Sequence, residues 1–251
     1  MRHRSVPSCF LIIGTQWFIW IDRMRVSKHE TFKNVYWVEL EDGTKRPATL
    51  NLAPGAQVYG ERLIKSGDLE FRIWDPYRSK LAAAILKGIK YMPISEGSKV
   101  LYLGAASGTT SSHVSDLVGL SGVVYCVEIS SRPLRDLLVV CNRRPNMIPL
   151  LADASKPMSY RSLIKGVDVI YQDIAQPEQS EILIANANVF LREGGHALLA
   201  LKARSIDVTK EPKDIYAEEI SKLEKHLEII DVKNLEPYEM DHAMVLARKT
   251  K

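Results

Sequence analysis

The chain predicts an α/β fold. A mostly parallel sheet is wrapped by helices on both faces, with an antiparallel pair at one edge and a small antiparallel β domain in front. Three observations carry this. From residue 99 onward, apolar runs of strand length alternate with stretches of helical periodicity, which is the rhythm of a parallel sheet covered by helices. The last two apolar runs lie too close together for a helix to join them, so they pair antiparallel. Residues 33–74 hold β-prone runs separated by Asp42-Gly43 and Pro54-Gly55, as in hairpins. With 251 residues, 46% hydrophobic and 25% charged, the chain suits one good-sized domain and a small appendage.

In chain order, Phe10 to Ile21 is apolar apart from Thr15 and Gln16 and follows Arg2, His3 and Arg4. It falls short of the roughly 20 residues a membrane helix needs, and Asp22-Arg-Met-Arg stands where a signal peptide would carry small residues for cleavage. Residues 1–30 therefore read as an accessory extension or an upstream start, with Met24 as the alternative beginning. Residues 31–76 read as the β-rich domain. Its core hairpin, Val35–Leu40 against Arg46–Asn51, is too small to bury a core alone and leans on a neighbour. Residues 77–251 form the main domain. Ser79 opens and Gly88 closes its first helix. Strands are expected at 99–103, 123–128, 147–151, 167–173 and 196–202, and helices at 108–118, 131–143, 178–191 and 212–226. Leu227–Val232 and Ala243–Ala247 make the antiparallel edge. Cys9, Cys126 and Cys141 form no Cys-x-x-Cys pair, which suits free thiols in a reducing, cytoplasmic setting and gives no metal site. A net charge of +4 permits a polyanionic partner without requiring one.

Chemistry concentrates at the strand ends. Val100-Leu-Tyr-Leu-Gly104-Ala-Ala-Ser-Gly108-Thr-Thr110 runs a buried strand through a glycine loop into a helix, the device that aims backbone N–H groups and a helix N-terminus at a polar ligand. Gly104 allows the sharp turn and Gly108 a close approach to ligand. The Gly-x-x-x-Gly spacing is not the dinucleotide fingerprint, and no Lys-Ser/Thr follows for a phosphate grip. In an open parallel sheet ligands sit beyond the carboxyl ends of the strands, and there the sequence places Glu128, Asp153, Asp173 and Lys202. Glu128, 24 residues after Gly104, suits a ribose diol, and Asp153 an adenine amino group. Asp173 and Lys202 each follow an uninterrupted apolar strand. They make either a plain salt bridge or a lysine held by an aspartate to stabilise negative charge on a substrate oxygen. An NAD-linked oxidoreductase is the competing enzyme reading of the same loop.

The chain resembles the fibrillarin family, the methyltransferase subunit of box C/D guide-RNA particles. The likeness rests on Val58-Tyr-Gly-Glu-Arg62, Arg78-Ser-Lys-Leu-Ala-Ala-Ala-Ile85, Lys99–Thr110, Asp173-Ile-Ala-Gln-Pro-Glu-Gln179, Leu201-Lys-Ala-Arg-Ser-Ile-Asp207 and Glu236-Pro-Tyr-Glu-Met-Asp-His-Ala243. The glycine- and arginine-rich segment of eukaryotic members has no counterpart, so the likeness is to the archaeal form. The resemblance implies a class I S-adenosylmethionine-dependent methyltransferase fold with a seven-stranded Rossmann-like sheet. It implies methylation of ribose 2′-hydroxyls in ribosomal RNA and in transfer RNA, with sites chosen by guide pairing. It implies a catalytic quartet of Lys80, Asp173, Lys202 and His242, in which Lys202 polarises or deprotonates the hydroxyl and Lys80 and His242 complete the pocket. Cofactor contacts map to Gly104, Ala105, Ser107, Gly108, Thr109 and Thr110, to Glu128 and Ile129, to Asp153 and Ala154, and to Asp173, Ile174, Ala175 and Gln176.

The implied partners are guide and target RNA, a scaffold protein in direct contact, and a kink-turn-binding protein through the particle, with no membrane. The isolated chain is then expected to bind cofactor but to methylate free RNA poorly. Arg132, Arg135, Arg143 and Arg144 are candidates for phosphate contact, set against a merely solvated face, which is the leading reading for most of them. A scaffold that kept the fold and lost catalysis is the non-enzyme alternative.

Overall fold

A computed structural model describes residues 10–13, 16–21 and 24–250. The readings that rest on Arg2–Arg4 and Cys9 lie outside the described residues. The chain begins with strands β1 (Phe10–Ile13), β2 (Gln16–Ile21), β3 (Met24–Lys28), β4 (Val35–Glu39), β5 (Lys45–Leu50), β6 (Leu63–Ser66) and β7 (Leu69–Ile73). They form one antiparallel sheet in the order β1-β2-β3-β4-β5-β7-β6. The Asp-Gly hairpin forms as expected. Glu39 pairs with Lys45, Gly43 takes a positive φ of 78°, and the Asp42 carboxylate accepts from Thr44 N at 2.8 Å.

The second half contains α1 (Lys80–Leu86), β8 (Lys99–Leu103), α2 (Thr109–Val118), β9 (Val123–Glu128), α3 (Ser131–Cys141) and β10 (Met147–Leu151). It continues with β11 (Val167–Gln172), α4 (Gln179–Phe190), β12 (Leu191–Lys202), α5 (Ala203–Ile206), α6 (Pro212–Leu223), β13 (Glu228–Asn234) and β14 (His242–Arg248). The sheet order is β10-β9-β8-β11-β12-β14-β13, parallel except for β14, which runs antiparallel to both neighbours. This is the class I methyltransferase architecture, with the antiparallel edge where the short 235–241 connection demanded it. Strand β12 starts at Leu191, five residues before the expected start, because its glycine-bearing first half still pairs with the chain's end: Gly194 N donates to Lys249 O and Lys249 N to Gly195 O. Two apolar cores flank the sheet, one containing Tyr102, Tyr171, Leu198 and Met244, the other Leu101, Ile170, Leu199 and Val245. The alternation along each strand sends consecutive side chains to opposite cores. No helix among the described residues is long and apolar enough to cross a membrane.

The small sheet does lean on its neighbour, and it does so through charge. Arg72 of β7, fully buried, is ion-paired with Glu61 at 2.6 Å and with Asp116 of α2 at 2.9 Å. Asp116 also accepts from Thr49 Oγ1 at 2.7 Å, from Leu52 N at 3.0 Å and from Arg144. Arg144, expected on a solvated face, is 1% exposed and spends its guanidinium on Asp116, Asn51 and Ser112. It is therefore unavailable to RNA phosphates. A sequence displays a cation but not the carboxylate waiting for it. Trp74 stacks on His113 with ring centroids 4.7 Å apart, and burial together with Arg72 and Arg144 pushes the His113 pKa well below its usual value.

Candidate active site

The carboxyl ends of β8, β9, β10 and β11 surround a cavity of about 420 Å³, within the range of small-molecule sites. Gly104, Ala106, Glu128, Ile129, Ala152, Ala154, Asp173, Ile174, Ala175, Gln176 and Lys202 border it. The sequence-predicted Gly104, Glu128, Ile129, Ala154, Asp173, Ile174, Ala175, Gln176 and Lys202 are thus brought together. Ala105, Gly108 and Thr110 are buried behind the loop. Ser107 and Thr109 border a neighbouring cleft beside Tyr59, Arg78 and Val140.

The glycine loop works differently from the expectation. Its N–H groups are largely spent inside the protein: Gly104 N and Ala105 N both donate to Val127 O, at 2.9 and 3.0 Å, and Ala106 N donates to Glu128 Oε2 at 2.9 Å. The loop supplies shape more than donors. Gly104 has φ 83°, and a Cβ there would collide with the Asp173 carbonyl, so glycine is what lets the ends of β8 and β11 close together. Gly108, with φ 100°, packs against Leu137 and Val140 of α3 rather than approaching the cavity.

Glu128 is 7% exposed, its two oxygens held by Ala106 N and by Ser130 N at 2.8 Å. Each carboxylate oxygen keeps a further lone pair for a ligand hydroxyl. Asp153 is not among the bordering residues. Its Oδ1 accepts from Ser155 N and Oγ at 2.9 and 2.7 Å, which with nearby Lys156 holds its pKa below the usual value. Its neighbours Ala152 and Ala154 face the cavity in its place.

At the mouth, Asp173 sits between two ammonium groups. Lys202 Nζ lies 2.7 Å from Oδ1 and Lys80 Nζ 3.2 Å from Oδ2, all three side chains between 15% and 17% exposed. Lys80 opens α1, whose N-cap Ser79 accepts from Ala82 N and from Thr110 Oγ1. Glu239 Oε1 approaches the same lysine at 3.7 Å. His242 begins β14 directly opposite Lys202 on β12, and opposed residues of paired strands project to the same face. Its Nδ1 lies 2.6 Å from Met240 O, and burial with the two lysines lowers its pKa. Lys80, Asp173, Lys202 and His242 therefore meet from four separate parts of the chain.

The residue-by-residue sequence reading gave no role to Gln179. It is fully buried and grips Lys202 by the backbone: Lys202 N donates to its Oε1 at 2.9 Å, and its Nε2 donates to Lys202 O at 3.1 Å. The available signal was an amide six residues after Asp173, at the opening of a helix facing the strand end.

The arrangement offers a carboxylate for a diol, small and apolar walls for a flat ring, and an acidic group flanked by cations where two reactants would meet. The model of the Fibrillarin family matches residues 26–251. The chain is similar to the fibrillarin-like rRNA/tRNA 2′-O-methyltransferase of Methanopyrus kandleri, 57% identical over 225 residues that cover 89% of this chain and 97% of that protein. It is similar in structure to Aeropyrum pernix fibrillarin with natively bound S-adenosyl-L-methionine, with a TM-score of 0.83 at 54% identity over 88% of this chain and 97% of that one. It also matches a chain of a fibrillarin/Nop5p complex, with a TM-score of 0.78 at 44% identity over 88% and 100% of the two chains.

Proposed function

Because this chain belongs to the fibrillarin family, we propose that it transfers methyl groups from S-adenosylmethionine to ribose 2′-hydroxyls of ribosomal and transfer RNA. The observation that carries the site assignment is Asp173 held between Lys80 and Lys202 at the rim of the Glu128 cavity. The cavity suits the cofactor. Glu128 would accept from the ribose diol, Ile129, Ile174 and Ala154 would provide apolar contact for the adenine, with Asp153 set back beside Ser155, and Asp173 to Gln176 would border the methionine end. Of the loop, Gly104 and Ala106 border the cavity, while Ala105, Gly108 and Thr110 support it from behind and Ser107 and Thr109 face the neighbouring cleft. When bound, the cofactor supplies an electrophilic methyl group, its sulfur keeping the electron pair of the broken bond.

The chain's own residues do the rest by position and charge. Asp173 orders both lysines, so that their ammonium groups present donors to the substrate hydroxyl and stabilise the charge that develops on its oxygen. Holding the substrate hydroxyl beside Lys202 and the cofactor site would convert an encounter into an effectively intramolecular step. His242 and Lys80 close the ribose pocket.

A net charge of +4 is modest and suits a subunit delivered to RNA by others. Target choice is therefore delegated: a scaffold protein of the Nop5p kind docks on the chain, and guide RNA with a kink-turn-binding protein completes the particle in the cytoplasm. The test is ribose-methylation mapping with a reconstituted particle. Lys202→Ala is expected to abolish methylation while S-adenosylhomocysteine affinity, measured by calorimetry, stays within a few-fold. Full methylation by that variant would sink the assignment.

A further inference from the structure

The quartet contains two amines and one imidazole that could in principle receive the hydroxyl proton, and they differ in what they have left to offer. Lys80 and Lys202 face Asp173 as ammonium groups, with no lone pair. His242 is different. Its Nδ1 is 2.6 Å from Met240 O, and a carbonyl only accepts, so the ring proton sits on Nδ1 and the lone pair on Nε2. Nε2 has no protein hydrogen-bond partner among the described residues. The ring stands opposite Lys202 in the β12–β14 register, on the face where the lysines converge.

We infer that His242 Nε2 is the proton acceptor for the ribose 2′-hydroxyl, with Lys202 and Lys80 acting as charge-stabilising donors. The assignment rests on the methyltransferase reading above. As the new carbon–oxygen bond forms from an oxygen lone pair, the O–H bond breaks, its electron pair stays on the oxygen, and the proton passes to Nε2. The resulting imidazolium releases it to water. The charged groups acting on the ring are Lys80 on α1, Lys202 on β12 and Glu239 in the connection before β14, and Asp173 after β11 pairs with both lysines. Burial and the two ammonium groups keep the ring neutral near pH 7, which is the form a base requires.

The experiment pairs a kinetic and a spectroscopic reading. Single-turnover methylation by the reconstituted particle is followed from pH 5 to 9 for the wild type, His242→Asn and His242→Gln. The asparagine variant keeps a donor for Met240 O and removes the Nε2 acceptor. The wild-type rate is expected to rise and level off with an apparent pKa below 6.5, and both variants to lose that inflection and slow by about 10²–10⁴-fold. Imidazole NMR of the free full-length chain is expected to show the Nδ1–H tautomer, with the same ring titrating below 6.5. An inflection that survives in His242→Asn, or an Nε2–H tautomer, overturns the assignment while leaving the methyltransferase reading intact. A wild-type particle that methylates no ribose at any pH removes that reading, and this one with it.

Discussion

Gln179 and Lys202 are joined as two neighbouring strands would be. The last residue pair between β11 and β12 is Gln172 with Leu199, so the backbone of Lys202 has no strand partner on that side. The Gln179 amide replaces it, receiving from Lys202 N and donating to Lys202 O, while Gln172 Nε2 donates to Gln179 O at 2.7 Å. Lys202 is thus fixed at its root as well as at its tip.

Gln179→Ala leaves a backbone donor and acceptor without partners at a cost of about 1–3 kcal/mol. Methylation by the reconstituted particle is expected to fall by about 10²-fold, the scale of a misplacement near 1 Å. S-adenosylhomocysteine affinity should change little, since Glu128 and the loop are untouched. Calorimetry alongside single-turnover rates separates the two effects.

Glu128→Gln is expected to act the other way. It removes the charge that strengthens hydrogen bonds from a ribose diol, about 1.5–3 kcal/mol for bonds to a charged group. Cofactor affinity should weaken by roughly 10–100-fold, with the single-turnover rate at saturating cofactor within a few-fold of the wild type.

Arg72→Met removes the cation between Glu61 and Asp116. Asp116 retains Arg144, but the Glu61 carboxylate, 1% exposed, loses its only ion-pair partner among the described residues. Breaking a buried pair in this way costs about 3–5 kcal/mol, readable as a lowered denaturant midpoint.

His113 makes stability depend on pH. Its ring is fully buried, with Thr49 Oγ1 2.8 Å from Nδ1 and Tyr59 OH 2.8 Å from Nε2. Because Thr49 Oγ1 donates to Asp116, it accepts from Nδ1, and Nε2 accepts from Tyr59. The folded pKa lies well below the ordinary 6.5, so the unfolded chain binds the proton more readily. No penalty is present above the unfolded value. Stability is expected to fall as pH drops below about 6.5, by up to roughly 1.4 kcal/mol per pH unit. His113→Gln should start less stable and show a shallower slope over that window in urea titrations.

The fold was legible because its signals are local: strand-length apolar runs, helix caps at Ser79 and Gly88, and an Asp-Gly turn all act within a few residues. Glu128, Asp173 and Lys202 were legible for the same reason, since the end of a parallel strand is a place as well as a sequence position. Lys80 and His242 are placed by long-range pairing. The first is brought in by α1 and the second by the β12–β14 register, so only the family resemblance pointed to them. The errors have a common source in partners that sequence spacing does not display. Arg144 found Asp116, Asp153 turned to Ser155, and the loop amides closed on Val127 and Glu128.

Asp116 takes bonds from Arg72, Thr49 and Leu52 on one side and from Arg144 on the other. The line between the two sheets is therefore a seam and not a joint. Sliding one sheet over the other would strand buried charge on both sides, so the chain has no hinge there to lend to its reaction. Under the proposed function, the motion that brings a ribose up to Asp173 and its lysines comes from the surface loops, or from the assembly that carries the RNA to a rigid socket.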